Sequence, residues 1–230
     1  MTAPSAAEQR LRDAVVTTAR TMNQQGLNRG RSGNVSARWR GAGFDGFLVT
    51  PSGVHYERIG PGDIVALHAD GTRRDPDALA PSSEWRFHRA IYAARADVDA
   101  VVHVHSPFAT SLACHGLGIP PFHYMITVAG GGDIRCAPYV CFGTEELAQV
   151  TVDSLVGRRA CLLAHHGMIA VGADLDRTLD LAIQVETLAE MYWRALQLGP
   201  PPLLSDAQVA AVIEQFTSYG QQPQQARGTR

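Results

Sequence analysis

The stretch that most constrains this chain is Pro81–Pro107, PSSEWRFHRAIYAARADVDAVVHVHSP. Ser82, Ser83 and Glu84 stand where a helix would begin, since serine hydroxyls accept bonds from the unpaired N–H groups of a first helical turn. Behind them Trp85, His88, Ile91 and Tyr92 recur at three- and four-residue intervals, which predicts a helix over Trp85–Arg95. The chain then turns at Asp97–Asp99 and runs through Ala100-Val101-Val102 into His103-Val104-His105. Residues i and i+2 of a strand share a face, so His103 and His105 can offer two imidazoles to one metal ion. Single histidines also rim ordinary strand ends, and a third ligand from elsewhere has to decide between the two readings.

Candidates for that ligand follow a second apolar strand. Ala160–Ala164 ends in His165-His166-Gly167, and Met168–Val171 is read as its continuation. Adjacent strand residues face opposite sides, so one of this pair, and not both, can join His103 and His105. Three imidazoles would leave a position open for water or substrate, the pattern of a catalytic rather than a structural zinc.

The remaining chain supplies a scaffold of mixed α/β type. Leu11, Val15, Ala19 and Met22 form one stripe of a first helix over residues 6–25. Short strands are expected after Gly33-Asn34, at Phe47–Thr50, at Ile64–His68 and near Ala137–Cys141. The turns Gly33-Asn34 and Thr50-Pro51-Ser52-Gly53 bring backbone N–H groups, an amide and a hydroxyl to strand ends, the parts of an anion-binding nest. Taken singly, each is most simply a turn. Pro107 and Thr144 open further helices, Leu175–Leu198 is a long amphipathic one, and Ser205-Asp206 caps a last one to about Tyr219. Pro120–Met125 and the glycines Gly130–Gly132 read as an extended, flexible connection, and residues 221–230 as a disordered polar tail. One domain over residues 1–220 is expected.

Composition enters where it excludes partners. Twenty basic against twenty-two acidic residues leave a net charge of −2, which gives no basic field for nucleic acid or an anionic membrane. A local anion pocket would not show in that total. No apolar run reaches the length of a membrane span and Thr2–Gln9 is small and polar, so a cytoplasmic protein is expected. Cys114, Cys136, Cys141 and Cys161 lack a CxxC spacing and are read as reduced, buried thiols; His55, His68, His88, His115 and His123 are read as structural or surface residues.

Taken together, the motifs resemble the class II aldolase/adducin family. They are GNVSAR at Gly33–Arg38, TPSG at Thr50–Gly53, PSSEWRFH at Pro81–His88, AVVHVH at Ala100–His105 and LLAHHG at Leu162–Gly167, supported by HYM, CAPY and FGTEEL farther on. The resemblance covers roughly residues 8–220. It implies a three-layer α/β/α sandwich around a largely antiparallel sheet, and a homotetramer with active sites at subunit interfaces. It implies one Zn²⁺ per subunit, held by His103, His105, His166 and Glu84, with Glu84 also the acid/base. It places substrate phosphate on Asn34, Ser52, Gly53, Ser82 and Ser83, a neighbouring subunit's Tyr124 at the reacting centre, and Phe142, Phe216 and Tyr219 at the aldehyde end. The reaction it implies is cleavage of a ketose 1-phosphate, such as L-fuculose 1-phosphate, into dihydroxyacetone phosphate and a short aldehyde such as lactaldehyde. The metal would stabilise the enediolate. The chain contains no lysine, so an imine route is closed to it. Epimerases, dehydratases, decarboxylases and non-catalytic adducin-like domains share the family and stand as alternatives.

Overall fold

The structure, a computed structural model, describes residues 4–41 and 43–218. Seven strands form one sheet: β1 Asn34–Gly41, β2 Phe44–Val49, β3 Val65–His68, β4 Ala100–Val104, β5 Arg135–Ala137, β6 Ala160–Leu163 and β7 Gly167–Gly172. Their spatial order is β3-β2-β1-β4-β7-β6-β5, and every pairing is antiparallel except that of β5 with β6. Among the described residues six α-helices accompany it: α1 Ala6–Gln24, α2 Trp85–Ala94, α3 Pro107–Cys114, α4 Glu145–Ser154, α5 Leu175–Leu196 and α6 Asp206–Ser218.

Strand alternation divides the sheet residues between two apolar cores, one on each face. Val35, Leu48, Val102, Leu162 and Ala170 pack with α1, α3 and α5. Phe47, Val49, Val101, Cys161 and Ile169 pack with α2 and α4. Both faces are therefore covered, and the expected three-layer sandwich around a mainly antiparallel sheet is what the chain forms. The same alternation turns His103 to the α2 side, where its ring meets Phe87 edge-on at 5.3 Å between centroids.

Local departures from the sequence reading have physical causes. Helix α2 starts at Trp85 as expected, but Glu84, not a serine, is its N-cap, and the Glu84 side chain makes no capping bond because it is turned into the site. Ser82 Oγ instead accepts from Glu84 N at 3.3 Å. β7 does not continue β6. The chain reverses through Ala164-His165-His166, and β7 pairs back antiparallel. His165 has φ 55°, the one positive φ on a non-glycine residue among the described residues. Residues 120–132 are not a loose connection, since Tyr124–Ala129 is a 3-10 helix with Ile126 and Ala129 in the core. Of the cysteines only Cys161 is buried; Cys136 is half-buried, and Cys114 and Cys141 are exposed. No helix among the described residues is long and apolar enough to cross a membrane.

Candidate metal centre and anion cradle

Four side chains from three separate parts of the chain converge at the carboxyl end of β4. Glu84 comes from the start of α2, His103 from β4, His105 from the turn after it, and His166 from the β6–β7 turn. One ligand atom from each lies within 4.8 Å of all the others. The three rings stand pairwise 4.8, 4.8 and 5.0 Å apart, each nearly perpendicular to the next. His103 and His105 bring their Nε2 atoms to 3.0 Å.

The tautomer of His103 is decided by its other nitrogen. Nδ1 lies 2.9 Å from the Met168 carbonyl oxygen, which can only accept. Nδ1 therefore carries the hydrogen, and Nε2 turns a lone pair inward, 3.2 Å from Glu84 Oε2. Glu84 Oε1 is buried 2.9 Å from His166 Nε2 yet takes part in no hydrogen bond. Lone pairs brought this close repel unless a cation lies among them. Three imidazole nitrogens and one carboxylate are a donor set for a divalent transition metal, and zinc accepts it. Burial pushes the Glu84 carboxyl up, but positive charge at the cluster, on His103 and His166 or on an ion held in their place, outweighs it and holds it well below its usual range. Burial, with His103 and His166 beside it, pushes His105 down to about 3, so its ring is neutral and free to ligate.

Backbone geometry fixes these side chains. A Cβ on Gly167 would sit 2.5 Å from Val104 O and 2.9 Å from the His105 ring, so nothing larger than glycine lets the β6–β7 turn approach β4. The left-handed His165 lets that turn send His166 to the cluster and His165 to the Tyr139 ring, 5.7 Å away. Asn28 accepts from His105 N at 3.0 Å and donates to the Ser32 carbonyl, tying His105 to the Ser32–Asn34 loop.

That loop forms one wall of a cavity of about 350 Å³ that reaches the cluster. Ser52 N donates to Ala80 O and Ser82 N to Thr50 O, clamping the TPSG turn beside the PSSE segment. Of the residues expected at a substrate, Asn34, Ser52, Gly53, Ser82, Ser83, Glu84, His105, His166 and Phe142 all line this cavity. Asn34 is nevertheless buried, with its amide nitrogen on Glu84 Oε2 at 3.0 Å. Tyr124 does not line it; half-exposed (51%), it faces out from the start of its 3-10 helix. Phe216 lines a different cavity, with Thr127, Leu181 and Gln184. Tyr219 and the tail 221–230 lie outside the described residues.

The cavity also contains residues that the sequence reading passed over. Arg31, the one arginine lining it among the described residues, donates to Gly53 O at 3.2 Å and so stands between the Gly33-Asn34 and TPSG turns. Tyr139 and Val140 add an apolar wall next to Phe142. Arg31 was signalled by its place two residues before Gly33-Asn34. Tyr139 closes the CAPY motif, whereas Val140 carried no signal beyond its place in the expected Ala137–Cys141 strand.

Comparison with known proteins agrees with the motifs. The class II aldolase and adducin N-terminal domain family matches residues 13–193. A 5-methylthioribulose-1-phosphate/5-deoxyribulose-1-phosphate aldolase of Rhodospirillum rubrum is 50% identical over 214 residues, covering 93% of this chain and 94% of the relative. The L-fuculose phosphate aldolase of Escherichia coli K12 is 44% identical over 207 residues, 90% and 94% of the two chains. A solved structure of an L-fuculose 1-phosphate aldolase superposes with a TM-score of 0.83 at 35% identity, covering 94% of this chain and 98% of that one.

Proposed function

The chain belongs to the class II aldolase and adducin N-terminal domain family, and on that premise we propose that it is a zinc-dependent aldolase that cleaves a ketose 1-phosphate into dihydroxyacetone phosphate and a short aldehyde. One observation carries the reading: a single cavity joins a three-histidine, one-carboxylate cluster to a cradle of turn N–H groups, serine hydroxyls and an arginine. A phosphorylated substrate needs both ends. The metal, when bound, supplies Lewis-acid polarisation of the substrate carbonyl.

The chain's own groups do the rest. Ser52, Gly53, Ser82, Ser83 and Arg31 hold the phosphate, so the sugar is oriented before any bond breaks. As the C3–C4 bond breaks, its electron pair stays on C3, the C4 hydroxyl loses its proton, and C3 gains one. No net proton is consumed. Glu84 carries the proton at C3. Tyr124 of a second copy, which is exposed and outside its own cavity, serves the aldehyde oxygen, so the active assembly is an oligomer, a homotetramer on this reading. Tyr139, Val140 and Phe142 offer the aldehyde an apolar wall. Substrates with an apolar far end suit that wall, and 5-deoxyribulose 1-phosphate and its 5-methylthio counterpart come first because their named relative is 50% identical. L-fuculose 1-phosphate, named by the 44% relative, comes second.

The test is release of dihydroxyacetone phosphate from each of the three sugars by zinc-loaded protein, with a chelated control. Metal-dependent release from any one supports the aldolase reading and ranks the aldehydes. Stoichiometric metal without release from any of them refutes it.

A further inference from the structure

Helix α2 and strand β1 present matching polar stripes to each other. Glu84 at the N-cap of α2 is followed by His88 and Tyr92 at four-residue steps, while β1 turns Asn34 and Ser36 to the same side. Four helical residues rise about 6 Å and two strand residues about 6.6 Å, so the stripes stay in step. All five side chains are buried. Asn34 Nδ2 lies 3.0 Å from Glu84 Oε2, His88 Nε2 lies 2.5 Å from Asn34 Oδ1, Ser36 Oγ lies 2.6 Å from His88 Nδ1, and the Tyr92 hydroxyl lies 2.7 Å from Ser36 Oγ.

Glu84 gives this line its direction. An ionised carboxylate only accepts, so Asn34 must turn its NH₂ to Glu84 and its oxygen to His88. His88 then has to donate from Nε2, which leaves a lone pair on Nδ1. Ser36 fills that lone pair with its hydroxyl hydrogen, and its oxygen accepts from Tyr92. Each donor meets an acceptor and no two acceptors face each other. The other His88 tautomer would turn Nε2 as an acceptor against Asn34, forcing the amide oxygen onto the carboxylate.

Burying such a line is not required for folding, because apolar residues of matching shape at these positions would be nearly neutral or stabilising. What the line does is fix one amide rotamer beside the carboxylate. We infer that His88 is a positioning residue for Glu84, acting through Asn34: held with its hydrogen on Nε2, it keeps the Asn34 amide nitrogen on Glu84 Oε2 and so sets where the carboxylate stands at the cluster. His103 is fixed in the same way by the Met168 carbonyl, through the nitrogen that does not ligate. Partners of this kind typically govern metal affinity or activity by about 10–100-fold. The inference rests on the reading of Glu84 as ligand and proton carrier.

Two measurements test it. Nitrogen–proton correlations of the histidine rings in the full-length, zinc-loaded wild-type protein at pH 7 read the His88 tautomer directly, with no turnover and no variant needed. Hydrogen on Nε2 alone is expected; hydrogen on Nδ1, or on both nitrogens, overturns the proposal. For function, His88→Phe should lower kcat roughly 10–100-fold while KM for the sugar phosphate stays within about twofold, and His88→Gln, whose amide N–H can reach Asn34, should recover most of the loss. A His88→Phe protein with wild-type kcat, a loss confined to KM, or equal losses in both variants would overturn it. If His88→Phe fails to fold, the wild-type tautomer decides. If no sugar phosphate is cleaved, the tautomer still stands as a result, so failure of the aldolase reading and failure of this inference remain distinct.

Discussion

Gly167→Ala should damage the metal site more than it damages the fold. The added methyl would lie 2.5 Å from Val104 O, 2.9 Å from His105 Cδ2 and 3.3 Å from His103 Cε1. Relief to an ordinary carbon–oxygen contact of roughly 3.3 Å requires the β6–β7 turn to retreat by about 0.8 Å. His166 is the residue before it and moves with that turn, whereas metal–ligand distances tolerate only about 0.2 Å. Overpacking of this kind costs about 1–3 kcal/mol of stability, and each kcal/mol lowers the melting temperature of a chain this size by about 2–4 °C. Zinc affinity, read by competition with a chromophoric chelator, should fall at least 10-fold, with a parallel loss of turnover. Gly62→Ala is the control, since a Cβ there meets nothing within 4 Å. Unchanged zinc affinity in Gly167→Ala would refute the claim that this glycine sets the distance between His166 and the β4 histidines.

Other outcomes follow from the same geometry. Glu84→Gln should lower kcat by roughly 10²–10⁴-fold and move KM little, as steady-state kinetics would show; a loss in KM alone would remove its role in proton transfer. Arg31→Ala should raise KM for a phosphorylated substrate about 10-fold with kcat nearly unchanged, and should weaken competitive inhibition by inorganic phosphate by a similar factor. Burial pushes His88 down to about 3, with His103 adding to the shift and Glu84 opposing it. Between that value and its ordinary 6.5 the unfolded chain binds a proton that the folded chain does not. His88 therefore subtracts stability as pH falls below 6.5, by up to about 1.4 kcal/mol per unit. Urea unfolding at pH 7 and pH 5 should show His88→Gln losing less on acidification than the wild type; equal losses would mean that His88 is not buried neutral.

Much of the site was legible in short stretches of sequence. The His103-Val104-His105 segment suggested two imidazoles on one face, and the structure brings them together although His105 lies in the turn just past β4; the PSSE and TPSG segments pointed to turns that line the same cavity. What escaped depends on pairings distant in the chain. His88 looks like one more helical core residue until β1 pairs with β4 and lays Asn34 and Ser36 against it. The His-His-Gly segment read as a continuing strand because a left-handed histidine leaves no mark in composition, and only the reversal at His165 explains how His166 alone reaches the cluster. Net charge, summed over the whole chain, says nothing of Arg31 on the cavity wall, and only its place two residues before Gly33-Asn34 pointed to it. Tyr124 matched a motif, yet it does not line its own cavity, and the part proposed for it needs the second copy that the resemblance implied.

The most direct test of the account is X-ray absorption at the zinc edge on the stoichiometrically loaded protein, repeated with His166→Ala. The account predicts one ion per chain with three imidazole nitrogens and a carboxylate oxygen at about 2.0–2.2 Å, and one imidazole fewer in the variant. An unchanged imidazole count in His166→Ala, or a wild-type ion without three imidazoles, would contradict it.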